Sequence, residues 1–254
     1  MTEAAIQVQH LVKFFAAGRR VFTALQDVTL DIHEGEFFVI LGTSGCGKTT
    51  LLRCLAGLEK PSGGEVYVYG KKVRSPGADR ALVFQEAMTF PWRTVQKNIE
   101  FSLEIRGVST KERRMTGQHY LNLVGLEGFA DCYPHQLSGG MRQRLSLAMQ
   151  LAHRPRILLM DEPFASLDSL TRRSMQEELL AIWLQNGMTV VFVTHLLDEA
   201  VFLGDRVLIM GQGGVVEQII DLNGQLSRGK RNPESRAFRL LLEKLSAALK
   251  ESEA

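Results

Sequence analysis

The chain has 254 residues, 45% hydrophobic and 23% charged, which excludes a disordered composition and allows one sizeable core with a smaller attached lobe. Its 30 Lys and Arg against 28 Asp and Glu leave a formal net charge of +2, too small to argue for a nucleic-acid partner. No apolar run approaches the roughly 20 residues of a membrane-spanning helix, and the opening residues lack a charged-then-apolar signal pattern.

In chain order, Ile6 to Phe15 and Val21 to Ile32 read as strands, followed by the turn His33-Glu34-Gly35-Glu36. The apolar run Phe37 to Leu41 is a third strand. It leads into Gly42-Thr43-Ser44-Gly45-Cys46-Gly47-Lys48-Thr49, and the segment from Thr50 to Ala56 reads as a helix stopped by Gly57. Strand, glycine-rich turn and helix fit G-x-x-x-x-G-K-[ST] in the context that this pattern requires. Glycines let successive backbone N–H groups turn inward around a polyanion, and the helix start adds partial positive charge. Lys48 is then expected to reach the β- and γ-phosphates, and Thr49 to place a hydroxyl on Mg²⁺. The three cysteines, Cys46, Cys54 and Cys132, show no metal-ligand spacing, so the thiols read as reduced and the compartment as cytosolic. Cys46 reads as a small residue filling the loop, with a redox switch as the alternative.

After the turn Pro61-Ser62-Gly63-Gly64, Glu65 to Tyr69 alternates as an edge strand closed by Gly70-Lys71-Lys72. The opening thus predicts a small antiparallel layer. Ala81 to Phe84 is a short strand ending at Gln85. From there to about Pro155 the pattern turns helical, with helices over Ile99 to Ile105, Lys111 to Val124 and Arg142 to His153. The α/β pattern returns with the buried run Ile157 to Met160, a helix from Thr171 to Gln185, and strands over Thr189 to Val193 and Arg206 to Met210. Strands alternating with helices predict a mainly parallel sheet between helices. The tail from Pro233 spaces Phe238, Leu241, Leu242, Leu245 and Leu249 as an amphipathic helix packed on the body.

Three polar sites sit at the carboxyl ends of these strands, the side of an α/β sheet where ligands bind. Asp161 is expected to hold Mg²⁺ and Glu162 to orient and deprotonate an attacking water. His195 follows the strand ending at Thr194 and suits a polarising role, and Gln85 is a plausible ligand of Mg²⁺ or water. Leu137-Ser138-Gly139-Gly140-Met141-Arg142-Gln143-Arg144 puts a serine and two glycines before a helix, a second anion-binding helix start.

Together these pieces resemble the nucleotide-binding subunit of ATP-binding-cassette (ABC) transporters, over about residues 5 to 220. Gly42 to Thr49 is similar to the Walker A loop, with Thr50 beside it, and Gln85 to the Q-loop glutamine. Leu137 to Gln143 is similar to the signature, and Ile157 to Asp161 to Walker B with Glu162 as the catalytic carboxylate. Ser166-Leu167-Asp168 is similar to the D-loop, and His195 to the switch histidine. Phe15 matches the aromatic that stacks on adenine, with Phe14 as the fallback. The resemblance implies an α/β P-loop NTPase (RecA-like) core with an antiparallel β subdomain and an inserted α-helical subdomain. The expected bounds are a single ABC ATPase domain over 1–230, its core at 1–85 and 155–230 and its helical subdomain at 86–154, then a C-terminal helix at 231–254.

The resemblance further implies that two subunits pair head-to-tail around two ATP molecules with Mg²⁺. Each nucleotide would lie between Lys48 of one subunit and Ser138, Gly139 and Gly140 of the other. A chain with no membrane span would borrow its pore from an integral membrane permease, served by a solute-binding protein, at the cytoplasmic face of the bacterial inner membrane. Phe90-Pro91-Trp92-Arg93-Thr94, Tyr133-Pro134-His135-Gln136 and Asp161-Glu162-Pro163-Phe164 resemble the nitrate, sulfonate, taurine and bicarbonate importer group. By that likeness Pro91 and Trp92 face the permease; a tryptophan buried in the helical lobe is the alternative. Thr43 departs from the usual proline, Ala148-Met149-Gln150 from Ala-Arg-Ala, and Gly211-Gln212-Gly213-Gly214 from a serine, proline and glycine pattern. The competing readings are an exporter or lipid-extraction ATPase, a soluble ABC ATPase acting on nucleic acid, and a regulatory cassette that binds ATP as a scaffold.

Overall fold

The computed structural model describes residues 4–18, 20–165, 167–223 and 231–251. They form two compact units, Met1–Gly77 with Leu180–Ala254, and Ala78–Leu179. The first unit opens with β1 (Ala4–Ala17), β2 (Arg20–His33), β3 (Phe37–Gly42), α1 (Lys48–Ala56), β4 (Gly63–Val68) and β5 (Lys71–Lys72). The second holds β6 (Arg80–Val83), α2 (Val95–Ile105), α3 (Thr110–Leu123), α4 (Gly139–Leu151), β7 (Ile157–Asp161) and most of α5 (Ser169–Asn186). The chain then returns to the first unit through β8 (Thr189–Thr194), α6 (Leu197–Leu203), β9 (Arg206–Gly211), β10 (Val215–Asp221) and α7 (Arg236–Glu251).

In the first unit an antiparallel sheet runs in the order β2-β1-β4-β5. A second set runs β10-β9-β3-β8, with β3 parallel to both β8 and β9, and β10 antiparallel to β9. Every position of β3 and β8 is buried, as the unbroken apolar runs FFVILG and TVVFVT require of parallel strands covered on both faces. In the second unit β6 and β7 pair in parallel, Val83 opposite Met160, and β7 is buried throughout.

Several boundaries differ from the sequence reading, each for a local reason. Helix α1 begins at Lys48 rather than Thr50, because Gly47 at φ 114° takes the N-cap. β4 stops at Val68: Tyr69 and Gly70 both lie in the left-handed region, at φ 47° and 71°, and turn the chain. Helix α2 starts four residues early, where the Thr94 hydroxyl accepts from the Lys97 N–H at 3.3 Å. Its first turn buries Val95, in phase with Ile99 and Leu103, together with Asn98. Helix α4 starts at Gly139 because the Ser138 hydroxyl caps it, accepting from the Met141 N–H at 3.3 Å. Helix α6 and strand β10 were not anticipated. The first is only seven residues long, and the second lacks a clean alternation of apolar and polar positions.

Phe238, Leu241 and Leu245 give α7 its buried stripe, with Leu242 and Leu249 half-buried beside it. Just before it, the buried Arg231 donates to the carbonyls of Val201 and Phe202, both at 3.2 Å, where α6 ends. It also faces the Asp205 carboxylate at 3.4 Å, whose other oxygen accepts the Phe37 N–H at 3.1 Å. One guanidinium therefore satisfies a helix end and a buried carboxylate that starts β3. Removing one partner of such a pair strands the other in a low-dielectric interior. Arg231→Ala is expected to lower unfolding stability by about 3–5 kcal/mol, measured by urea denaturation; a loss below about 1 kcal/mol would show the contact to be incidental.

Candidate functional site

In the first unit, β3 and β8 are in register with Leu41 opposite Thr194. The glycine-rich loop from Gly42 and the segment from His195 therefore leave neighbouring strands at the same end. Lys48 is 4% exposed, and its ammonium donates to the carbonyls of Gly42 and Thr43, each at 2.8 Å. A buried cation is tolerable only when its donors are met in this way. Ser44 and Gly45 are exposed, while Thr49 and Thr50 are half-buried in the first turn of α1. His195 is exposed, and the strand end before it is fixed by the Thr194 hydroxyl, which donates to the buried Glu199 at 2.5 Å and accepts the Leu196 N–H at 3.0 Å.

The loop needs glycine for room as well as for φ. A Cβ on Gly47 would lie 2.3 Å from the Ala24 carbonyl, and one on Gly42 would lie 2.5 Å from the Met210 carbonyl. Cys46 is 1% exposed, with its sulfur packed beside Gly42. That burial favours the filler reading of this thiol over the redox switch. On β1, Phe15 stacks on its cross-strand partner Phe22, with ring centroids 5.7 Å apart, and the Lys13 ammonium lies 4.8 Å from the Phe15 ring. Phe14 is the more exposed of the two candidate rings.

In the second unit, Gln85 and Glu162 each lie two residues beyond the paired Val83 and Met160, so both leave the β6–β7 pair at one end. Asp161 is the buried last residue of β7. Glu162 takes φ 44°, a strained value for a residue other than glycine and one that tends to cluster at functional sites. Ser138 and Gly139 are exposed at the start of α4. Gln85, Gly139, Arg142, Gln143 and Ala165 line one open cleft of about 600 Å³, so this unit brings the glutamine and the serine-glycine helix start together. The Asp168 carboxylate accepts from the N–H groups of Leu170 and Thr171 at 3.1 and 3.0 Å. Hydrogen bonds from the Thr171 side chain and backbone hold its carboxyl below the usual range. Ser166 lies outside the described residues.

Trp92 is 72% exposed, which overturns the alternative of a tryptophan buried in the helical lobe. The loop carrying it is held from within. The buried Asn98 accepts the Phe90 N–H at 2.7 Å and donates to the carbonyls of Phe90, Arg93 and Thr94 at 3.0–3.1 Å. Sequence reasoning also missed Gln212, whose amide donates to the Thr43 hydroxyl at 3.0 Å across 169 residues. Its only signal was the unusual run Gly211 to Gly214.

The ABC transporter family matches residues 25–165. The nitrate import ATP-binding protein NrtD of Synechocystis sp. is 41% identical over 236 residues, 92% of this chain and 88% of that protein. This chain belongs to the ABC transporter ATP-binding family. The taurine import ATP-binding protein TauB of Rhizobium johnstonii is 49% identical over 207 residues, 81% of this chain and 79% of its own length. Among solved structures, a dimeric ATP-binding cassette in a post-hydrolysis state bound to ADP and Pi aligns with TM-score 0.79 and 35% identity. That alignment covers 85% of this chain and 98% of the other. The ABC cassette has the P-loop NTPase fold and is an ATPase that uses ATP with Mg²⁺.

The thiols of this cassette should differ sharply in reactivity. Burial pushes Cys54 up to about 12, Cys46 is closed off, and Cys132 alone of the three is half-exposed. Since the thiolate is the reactive form, an aromatic disulfide reagent at pH 8 should modify one thiol of the native chain and none of Cys132→Ser. Fast modification of Cys46, located by peptide mass spectrometry, would reinstate the redox-switch alternative.

Proposed function

We propose that this chain is the ATP-hydrolysing subunit that powers import of a small solute through a separate membrane permease. The solute class is that of its named relatives and their group: nitrate, a sulfonate such as taurine, bicarbonate or a related small molecule. The observation that carries the ATPase part of this reading is the buried Lys48 at the mouth of a loop in which Gly42 and Gly47 cannot take a side chain without collision. Among the described residues no helix is long and apolar enough to cross a membrane, which fits a peripheral subunit held by its permease. The proposed organisation is one ABC ATPase domain over 1–230, with its core at 1–85 and 155–230, an inserted helical subdomain at 86–154, and a C-terminal helix in 231–254.

In this reading the backbone N–H groups from Gly42 to Thr50 cradle the phosphates, and Lys48 exchanges its two carbonyls for β- and γ-phosphate oxygens. Phe15 stacks on adenine. The Thr49 hydroxyl and the Asp161 carboxylate are the hard oxygen donors that Mg²⁺ takes, and Gln85 is the third candidate. Held by these residues, Mg²⁺ would supply positive charge against the phosphate oxygens. Glu162 orients the attacking water and takes its proton, and His195 and Gln85 position the reacting groups. Ser138, Gly139 and Gly140 complete the pocket of the partner copy, and Asp168 contributes at the same dimer contact. Loss of the γ-phosphate removes the charge that joins the two copies, so hydrolysis releases them.

The permease contact is assigned to the loop at Pro91 and Trp92, an exposed aromatic on a clamped backbone. A solute-binding protein is an indirect partner, nucleic acid is not one, and the site of action is the cytoplasmic face of the bacterial inner membrane.

Glu162→Gln is expected to bind ATP and remain dimeric while releasing phosphate at least about 100-fold more slowly, the usual loss when a general base is removed. Phosphate release near the wild-type rate would take Glu162 out of the base role. Trp92→Ala is expected to keep the wild-type melting temperature and to lose co-purification with the polytopic membrane permease. Undiminished co-purification would move the docking surface elsewhere.

A further inference from the structure

We infer that the turn between β9 and β10 is a buttress of the phosphate loop, and that Gln212 is a positioning residue for MgATP binding acting through Thr43. The inference rests on the reading that the loop from Gly42 to Thr49 holds the phosphates. Two features noted as departures from the family pattern, Thr43 and the run Gly211 to Gly214, turn out to be one contact. The Gln212 amide donates to the Thr43 hydroxyl at 3.0 Å, and the Thr43 carbonyl accepts the Lys48 ammonium at 2.8 Å. Gln212 thus tethers the residue whose backbone helps to set the resting place of the loop's cation.

The tether can do this because the turn that carries it is itself docked. Gly213 and Gly214 both take left-handed φ values, 74° and 75°. The Gly214 carbonyl accepts the Gln26 N–H at 3.2 Å, and its own N–H donates to the Gly211 carbonyl at 3.3 Å. A Cβ at Gly214 would stand 2.1 Å from the Ala24 carbonyl, the same oxygen that crowds Gly47 from within the loop. The Gly214 Cα lies 3.4 Å from where a Cβ of Gly47 would stand. At its other end the turn continues β9, in which Met210 pairs with Gly42. The turn is therefore packed against β2 and against both ends of the phosphate loop.

The chemistry suits a site for a polyanion. A carboxamide donates to Thr43 without bringing negative charge near the phosphates, so it can hold the loop with ATP present or absent. A carboxylate at 212 could not donate this bond and would repel the nucleotide. Holding the loop in its binding shape before the ligand arrives lowers the ordering cost of association. Such a residue moves nucleotide affinity, and it moves it only while Thr43 keeps a hydroxyl.

The test is the dissociation constant for MgATP, measured by titration calorimetry on full-length chains, with the melting temperature of each variant recorded alongside. Gln212→Ala and Gln212→Asn are each expected to weaken binding about fivefold, the scale of one neutral hydrogen bond. Gln212→Glu should weaken it further, and more at low than at high salt. Thr43→Val should match Gln212→Ala, the double variant should be no worse than either single one, and Thr43→Ser should bind as the wild type does. Gln212→Ala within about 1.5-fold of wild type, or fully additive losses in the double variant, would overturn the inference. Lys48→Ala run in parallel keeps the two readings apart: wild-type affinity in that variant would bring down the phosphate-loop assignment itself.

Discussion

An ammonium group buried at the start of a helix is an unfavourable arrangement, and the first unit is built around making it tolerable. The N-terminal end of α1 carries partial positive charge from its own peptide dipoles, so Lys48 sits where a cation is least welcome. Two carbonyls offset this, those of Gly42 and Thr43, and they can do so only if the loop folds back over its own first residues. Folding back demands left-handed φ at Gly45 and Gly47 and lets the Ala24 carbonyl and the Met210 carbonyl approach within distances that exclude any Cβ. In the proposed reading these carbonyl dipoles hold the charge until phosphate oxygens would take their place.

The amino end of β3 has the opposite character. Glu36 is buried there, accepting the His33 N–H at 2.7 Å and facing Arg206 at 3.2 Å. Burial raises its carboxyl above the usual value, and the His33 N–H and the Arg206 charge act against that rise. Asp205 and Arg231 add a second buried pair at the same end through the Phe37 N–H. Buried ion pairs contribute little net stability compared with apolar packing, and their better-attested use is to fix one register. Here the register matters: shifting β3 by one residue against β8 and β9 would move Gly42 away from Met210 and carry the loop with it.

Much of this was legible because parallel buried strands announce themselves as unbroken apolar runs, and the first polar residue after each run marks the ligand side. Leu41 before Gly42, Met160 before Asp161 and Thr194 before His195 follow that rule, and the register confirms the strand ends. The helix starts at Val95 and Gly139 were less legible, since they are set by the capping hydroxyls of Thr94 and Ser138, and a lone threonine or serine does not announce a cap. The bond from Gln212 to Thr43 was beyond local pattern altogether, because it joins residues brought together only when β9 pairs with β3. Composition could not decide the burial of Trp92 either. Tryptophan is mostly buried, as Trp183 is, and only the placement of Asn98 reveals that the loop turns Trp92 outward.

In the proposed role as a docking residue, that outward tryptophan has a cost in solvent and a benefit in association. A loop of ordinary mobility would lose conformational freedom on docking, and each ordered residue would subtract from affinity. Asn98 has already removed that freedom: its carboxamide engages the backbone at Phe90, Arg93 and Thr94, on both sides of Trp92. The neighbouring rings continue the support, with Phe90 against Phe101 at 4.3 Å and the Arg93 guanidinium over Phe101 at 4.6 Å. Arg93 is in turn held by Glu104 at 2.7 Å. The same device recurs at both proposed binding surfaces of the chain: a single carboxamide, Asn98 at the docking loop and Gln212 at the phosphate loop, fixes a backbone segment in advance. Carboxamides suit this use because they satisfy backbone or hydroxyl groups without adding a charge that a partner would have to neutralise.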